Sequence, residues 1–216
     1  MNLDNKKFSN LLQRLIEFKS GITKVPIRAE SWEELIWATL VFMFGEEKVN
    51  WDPQSHEKSV DIKVKLNSNI LKISAKAGEI KKGMIAISSY RLTTFNKLRE
   101  MLQFIKEQHN SFDFYLICVR EIKRNTITYH VIKTPSDKLA PRWLVTEDNW
   151  ISTKHGHTLK DGLGFKANIV FKMSNQLWYS IPIDYFSPAE HIVNITIPLK
   201  ELGKGLIEFL RNNIKK

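Results

Sequence analysis

Asp61 and the tripeptide Ser74-Ala75-Lys76, which starts thirteen residues later, are the residue types whose spacing could do chemistry. A carboxylate can hold a divalent metal ion, which polarises a phosphate and lowers the pKa of an attacking water. A neighbouring lysine can orient that water and neutralise the charge that develops. Together these are the parts of metal-assisted phosphodiester hydrolysis. Serine is a poorer metal ligand than a carboxylate, so either another acid helps or the site is inactive.

For those parts to meet, they must sit on adjacent strands. Residues 59–66 (SVDIKVKL) alternate, with Val60, Ile62, Val64 and Leu66 on one face and Asp61, Lys63 and Lys65 on the other. Residues 70–76 alternate again through Leu71, Ile73 and Ala75, and Asn67-Ser68-Asn69 between them is turn chemistry. Pairing Leu66 with Asn69 sets Val64 against Leu71, Ile62 against Ile73 and Val60 against Ala75. A slip of one residue would oppose Asp61 to Ala75 and spoil every apolar pair. The favoured register puts Asp61 opposite Ser74, with Lys76 on the face of Ser74.

The flanking elements follow from periodicity. Apolar spacing predicts a helix over 5–19, stopped by Gly21, and a second from Ser31 to about Phe44, ending at Gly45. Ser31 and Glu34 form an S-x-x-E capping-box pattern. After the hairpin come a loop with Gly78 and Gly83, a helix from about Thr94 to His109, a buried strand at 112–119 and its hairpin partner at 126–132. Shorter strands at 167–172, 177–181 and 192–197 and an amphipathic helix at 199–213 complete the chain.

Composition bounds the partners. At 216 residues a single domain is expected, with a core at about 31–132 and a β-rich elaboration at about 133–216. Hydrophobic residues at 43% and aromatics at 11% exclude a disordered chain. Lys and Arg number 33 against 23 acids, a net charge of +10, which favours a polyanionic partner. From Lys58 to Lys82 seven lysines face two acids, Asp61 and Glu79, so half of that excess surrounds the Asp61–Lys76 segment. Cys118 is the single cysteine, which excludes a disulfide-stapled scaffold. The start MNLDNKKFSN lacks the apolar core of a signal peptide. The longest apolar run, Leu35 to Phe44, falls far short of the roughly 20 residues of a membrane span. A soluble cytoplasmic protein with no membrane partner is expected.

Asp61 followed at a strand–turn–strand distance by Ser74-Ala75-Lys76 resembles the active-site pattern of the PD-(D/E)xK nucleases. The stretch KAGEIKKGMIAISSYRLTTF is similar to segments that follow the active site in type II restriction endonucleases of that superfamily. The resemblance covers residues 31–132. It implies an α/β (α+β) fold, a mixed central sheet flanked by helices, in α-β-β-β-α-β order with 49–51 as the first short strand. It also implies Mg²⁺ as cofactor, sequence-specific cleavage of double-stranded DNA, and a homodimer that cuts both strands of a palindromic site. Two departures stand out: Val60 precedes Asp61 where the family has proline, and Ser74 replaces the second acid. Some restriction enzymes draw a metal-binding glutamate from the helix before the sheet. The resemblance therefore points to Glu34, with Glu33 and Glu79 as weaker alternatives. The expected catalytic set is Asp61, Lys76, Glu34 and Ser74, with Asp61 and Glu34 on the metal.

DNA contacts are expected from three places. Ser88, Ser89, Tyr90, Arg91, Thr93 and Thr94 form a polar cluster ahead of a helix, where hydroxyls suit phosphates and Arg suits guanine. Helix capping by Thr93 or Thr94 is the plain alternative. Lys81 and Lys82 extend the basic run. Lys154, His155 and His157 lie in a polar stretch that reads equally as a surface loop. The two histidines lack a third ligand at zinc spacing, and Gly162-Leu163-Gly164 lacks the context of a phosphate loop. Two other functions compete: a non-catalytic nucleic-acid-binding module, for which Ser74 speaks, and a repair or junction nuclease on the same fold.

Overall fold

The computed structural model describes residues 3–51, 60–67 and 69–213; Ser59 and Ser68 of the predicted hairpin and Lys58 of the basic run lie outside the described residues. Helix α1 (Asn5–Ile22) begins at Asp4, whose carboxylate accepts from the Lys7 N–H at 3.0 Å, and it buries the i, i+4 stripe Phe8, Leu12, Ile16 and Ser20. Helix α2 (Ala29–Phe44) buries Trp32, Leu35, Ile36, Thr39 and Leu40. It starts two residues before Ser31, with Arg28 at the cap, so the expected Ser31–Glu34 capping box does not form the helix start.

Strands β1 (Val49–Trp51), β2 (Ile62–Leu66), β3 (Asn69–Lys81) and β4 (Met84–Arg91) lead to α3 (Leu98–Gln108). Next come β5 (Phe114–Lys123), β6 (Thr126–Pro135), β7 (Trp150–Thr153), β8 (Gly156–Leu159), β9 (Lys166–Val170), β10 (Gln176–Pro182), β11 (His191–Pro198) and α4 (Lys204–Asn213). The core keeps the predicted α-β-β-β-α-β order with β4 inserted, where a loop was expected. The chain is a mixed α/β fold in which the described strands share one sheet, ordered β11-β6-β5-β3-β4-β10-β9-β8-β7, with β1 and β2 branching from β3. The C-terminal strands thus lengthen the same sheet at both edges. Helices α1 and α2 cover one face and α3 the other, giving two cores. One gathers Ile62, Val64, Ile73, Leu116 and Tyr129; the other gathers Ile85, Ile87, Leu102, Tyr115 and Tyr179. No helix among the described residues is long and apolar enough to cross a membrane.

Strand β3 organises the centre. Its first half pairs with β2 in the predicted register, Ile62 with Ile73, Val64 with Leu71 and Leu66 with Asn69. Its second half pairs with β4 across Lys82-Gly83, both at positive φ as a two-residue type I′ hairpin demands. On the opposite side β5 runs parallel to it from Ile73 to Ile80, reached through α3.

Candidate active site

Strand β3 is 13 residues long, but β2 leaves it after Ile73 and β4 joins it at Gly78. Between them lies a fork, where backbone groups lack a ladder partner and still have to be satisfied. The Ala75 N–H donates to Asp61 Oδ2 at 2.7 Å, and the Ala75 carbonyl accepts from Lys76 Nζ at 3.1 Å. Ser74 Oγ donates to the same Asp61 oxygen at 3.1 Å, and Lys76 Nζ lies 3.5 Å from it. Asp61 is itself anchored by its N–H on the Ile73 carbonyl at 2.9 Å. The chain turns over there: Val60, expected on the face of Ile62 and Val64, packs instead in the opposite core. Gly78 lets β4 close onto β3 directly after the fork, because a Cβ at that position would run into the Ala86 carbonyl.

Ser74 is wholly buried, so its hydroxyl orients Asp61 and does not face the solvent. The Lys76 and Asp61 side chains are 16% and 25% exposed, enough to admit a substrate and little enough to limit screening by salt.

The fork also receives an acid from α2, and it is Glu33. Trp51 Nε1 on β1 donates to Glu33 Oε2 at 3.1 Å, and the Trp51 ring lies against Trp37 with centroids 5.7 Å apart. Burial raises the Glu33 pKa above the usual carboxylate value. The Asp61 charge adds to that rise, while the Trp51 bond and the Lys76 charge oppose it. Glu34, the expected metal ligand, is turned the other way: its carboxylate is exposed and pairs with Lys19 of α1 at 3.4 Å. Neighbours in a helix diverge by about 100°, so one glutamate faces the fork and the next faces α1. Glu79 is engaged by Arg120 at 2.6 Å and Lys81 at 2.7 Å, bonds that lower its pKa.

The fork suits a hard divalent cation. A lysine ammonium already bridges Asp61 Oδ2 and the Ala75 carbonyl, so the two oxygens converge on a point favourable to positive charge. Glu33 brings a second carboxylate within electrostatic reach. Mg²⁺ commonly takes one or two carboxylates and keeps several waters, which matches this donor set. Among the described residues no three His, Cys, Asp or Glu side chains form a ready-made metal cage.

No family model matches the chain, and no curated protein matches it. A solved structure described as a restriction endonuclease in complex with substrate DNA is similar to it at 19% identity, covering 83% of each chain, with a TM-score of 0.36.

The expected DNA-contact residues divide. Ser88 and Lys81 line a cleft of about 570 Å³ between the start of α2 and strands β3, β4, β5 and β10, beside the fork. Arg91 is exposed at the end of β4, and Lys82 at the β3–β4 turn. Tyr90 is a correction: it is buried, with its hydroxyl 3.0 Å from that of Tyr115. The β4–β10 register shifts between Trp178↔Ser88 and Gln176↔Arg91, and this irregularity turns Tyr90 into the core and half-buries Ser89. Thr93 and Thr94 lie in a turn ahead of α3, whose cap is Lys97, so neither caps the helix. Lys154 and His155 are exposed on the β7–β8 turn. At about 4.8 Å per strand that turn is roughly 20–24 Å from β3. His157 is a second correction: it is buried, its Nδ1 lies 2.9 Å from Ser152 Oγ, and its ring meets Phe171 edge-on. Trp51 and Arg120 lie outside the expected set of site residues. A tryptophan and an arginine separated from the motif by loops and strands carry no local signal of their role.

Proposed function

We propose that the protein is a Mg²⁺-dependent endonuclease of the restriction type, cutting double-stranded DNA at a specific sequence. The observation that carries this reading is the convergence of Asp61, Lys76 and the Ala75 carbonyl at one fork of the sheet, with the Glu33 carboxylate near enough to feel the charges of Asp61 and Lys76. Asp61, Glu33 and the Ala75 carbonyl would hold the cation. When bound there, it supplies Lewis-acid stabilisation of phosphate charge and makes water a stronger acid. Lys76 Nζ orients the attacking water and donates to a phosphate oxygen. The attacking water gives up a proton to solvent as its oxygen bonds to phosphorus, the P–O bond to the leaving nucleotide breaks, and the departing oxygen takes up a proton from solvent. Ser74 holds Asp61 in place.

The basic run around β3, with Arg91 exposed and Lys81 at the rim, suits a polyanion. A homodimer is supported by the apolar surface of α4, where Leu206, Ile207 and Leu210 are exposed, and of α1, where Phe18 and Ile22 are exposed. The two helices meet where Gly205 approaches the Gly21 carbonyl. Burying such a surface between two copies would give one active site per DNA strand. An enzyme of this kind meets its DNA in the cytoplasm.

A plasmid digest with Mg²⁺ and with EDTA tests the reading. Discrete fragments with Mg²⁺, none with EDTA and none from Asp61→Ala are expected. A smear would favour a general repair nuclease. DNA binding without cleavage would favour a non-catalytic module, the reading to which Ser74 lends support.

A further inference from the structure

The entrance to α2, the helix that carries Glu33, is tied to the sheet at Ile27. The Ile27 N–H donates to the Tyr129 hydroxyl at 3.1 Å, and the Ile27 carbonyl accepts from Arg120 Nη1 at 2.9 Å. Arg120 and Tyr129 are directly opposed on β5 and β6, so one cross-strand pair takes both polar groups of Ile27, two residues before α2 begins. The other arm of the guanidinium, Nη2, binds Glu79 Oε1 at 2.6 Å. Glu79 is in register with Arg120 across β3 and β5, three residues beyond Lys76. Trp32, beside Glu33, meets the Tyr129 ring edge-on at 5.7 Å. A continuous path therefore runs from Glu33 through Ile27, Arg120 and Glu79 to Lys76. The planar fork of an arginine fixes both ends of such a bridge, which a lysine point charge does not.

We propose that Arg120 is a positioning residue for the metal site: by bridging Ile27 and Glu79 it sets the separation between Glu33 on α2 and the Asp61–Lys76 pair on β3, and through it the affinity of the fork for a divalent cation. This rests on the reading of the fork as a metal site. Groups that orient ligands without touching the metal typically carry about 10–100-fold in affinity.

Calorimetric titration of the full chain with Mn²⁺ tests it, in wild type, Arg120→Gln, Arg120→Lys, Glu79→Gln and Glu33→Gln, and in the last background combined with each of the others. The expected result is about a 10-fold or larger loss of Mn²⁺ affinity in Arg120→Gln, not restored by Arg120→Lys. Glu79→Gln, which weakens the side-chain tie between Arg120 and β3 and leaves the Ile27 bond, should show a smaller loss. In the Glu33→Gln background both substitutions should change the affinity less than about 2-fold, because the carboxylate they position has gone. Melting curves in EDTA report folding separately, since a merely structural role lowers Tm and leaves the affinity of the folded protein alone. Unchanged Mn²⁺ affinity in folded Arg120→Gln, or equal losses in both backgrounds, would overturn the proposal. Should Arg120→Gln fail to fold, Glu79→Gln decides by the same two comparisons. Wild type that binds no Mn²⁺ would overturn the metal-site reading itself, and the proposal with it.

Discussion

Ser74 is wholly buried with its hydroxyl on Asp61, and that gives its substitution a consequence. In Ser74→Asp a second negative charge would be buried beside Asp61 with no new partner, a change that costs about 3 kcal/mol. In a chain of this length that is a fall in Tm of about 6–12 °C in EDTA. Mg²⁺ should recover part of the loss, because a ligand of the folded state stabilises it. Thermal melts with and without Mg²⁺ check this, and an unchanged Tm in EDTA would mean that residue 74 does not face Asp61. Lys76→Ala should cut the cleavage rate about 100–1,000-fold, and Lys76→Arg should not rescue it. Rate measurements on a short duplex check both, and full activity in Lys76→Ala would remove the lysine from the site. Asp61, Ser74 and Lys76 were legible as a set because alternation fixes which residues of a hairpin share a face. That logic failed at Val60, where the strand ends and the chain turns over.

At the scale of elements, α2 shows how a local pattern can mislead. Ser31-x-x-Glu34 resembles a helix start, yet α2 begins two residues earlier, and Glu34 turns to Lys19 of α1 while Glu33 turns to Trp51. The buried stripe Trp32, Leu35, Ile36, Thr39 and Leu40 held better information. On a 100° wheel Glu34 lies about 170° from the centre of that stripe and Glu33 about 90°, so Glu33 flanks the sheet and Glu34 does not. Strand β4 was hidden for another reason: its polar end, SSYR, reads as a loop, while the pairing with β10 that makes it a strand lies far away in sequence. Helix α3 ends at His109, whose ring is enclosed by Tyr90, Phe112 and Tyr115 while Nδ1 donates to the Ser136 carbonyl. Burial depresses its pKa from 6.5 to about 4. A folded-state value below the free one means that the unfolded chain binds the proton more tightly. Stability is therefore intact above pH 6.5 and falls as the pH drops toward 4, by about 3 kcal/mol over that window. Urea denaturation at pH 7 and pH 4.5 checks this, and His109→Phe should remove most of the difference. An equal loss in His109→Phe would place the acid sensitivity elsewhere.

For the whole molecule, the overall charge and the α-β-β-β-α-β order were readable, whereas the way 133–213 joins the sheet was not. Long-range antiparallel pairing, such as β11 on β6 or β10 on β4, depends on contacts that no short window contains. Oligomeric state is accessible at this scale. Ile207→Glu puts a charge into the exposed apolar face of α4 and should shift a dimer toward monomer in sedimentation experiments, while the monomer stays folded. A wild type that is monomeric on its DNA would contradict the two-copy arrangement. On the proposed reading the sheet fork, completed by Glu33, is a metal-dependent cleavage centre. Its most direct test is the Mg²⁺-dependent cleavage rate of one duplex by wild type, Glu33→Gln and Glu34→Gln measured side by side. Glu33→Gln is expected to lose about 100-fold or more, the scale of a lost transition-state contact, while Glu34→Gln cuts like wild type. Loss confined to Glu34→Gln, or full activity in Glu33→Gln, would contradict the account.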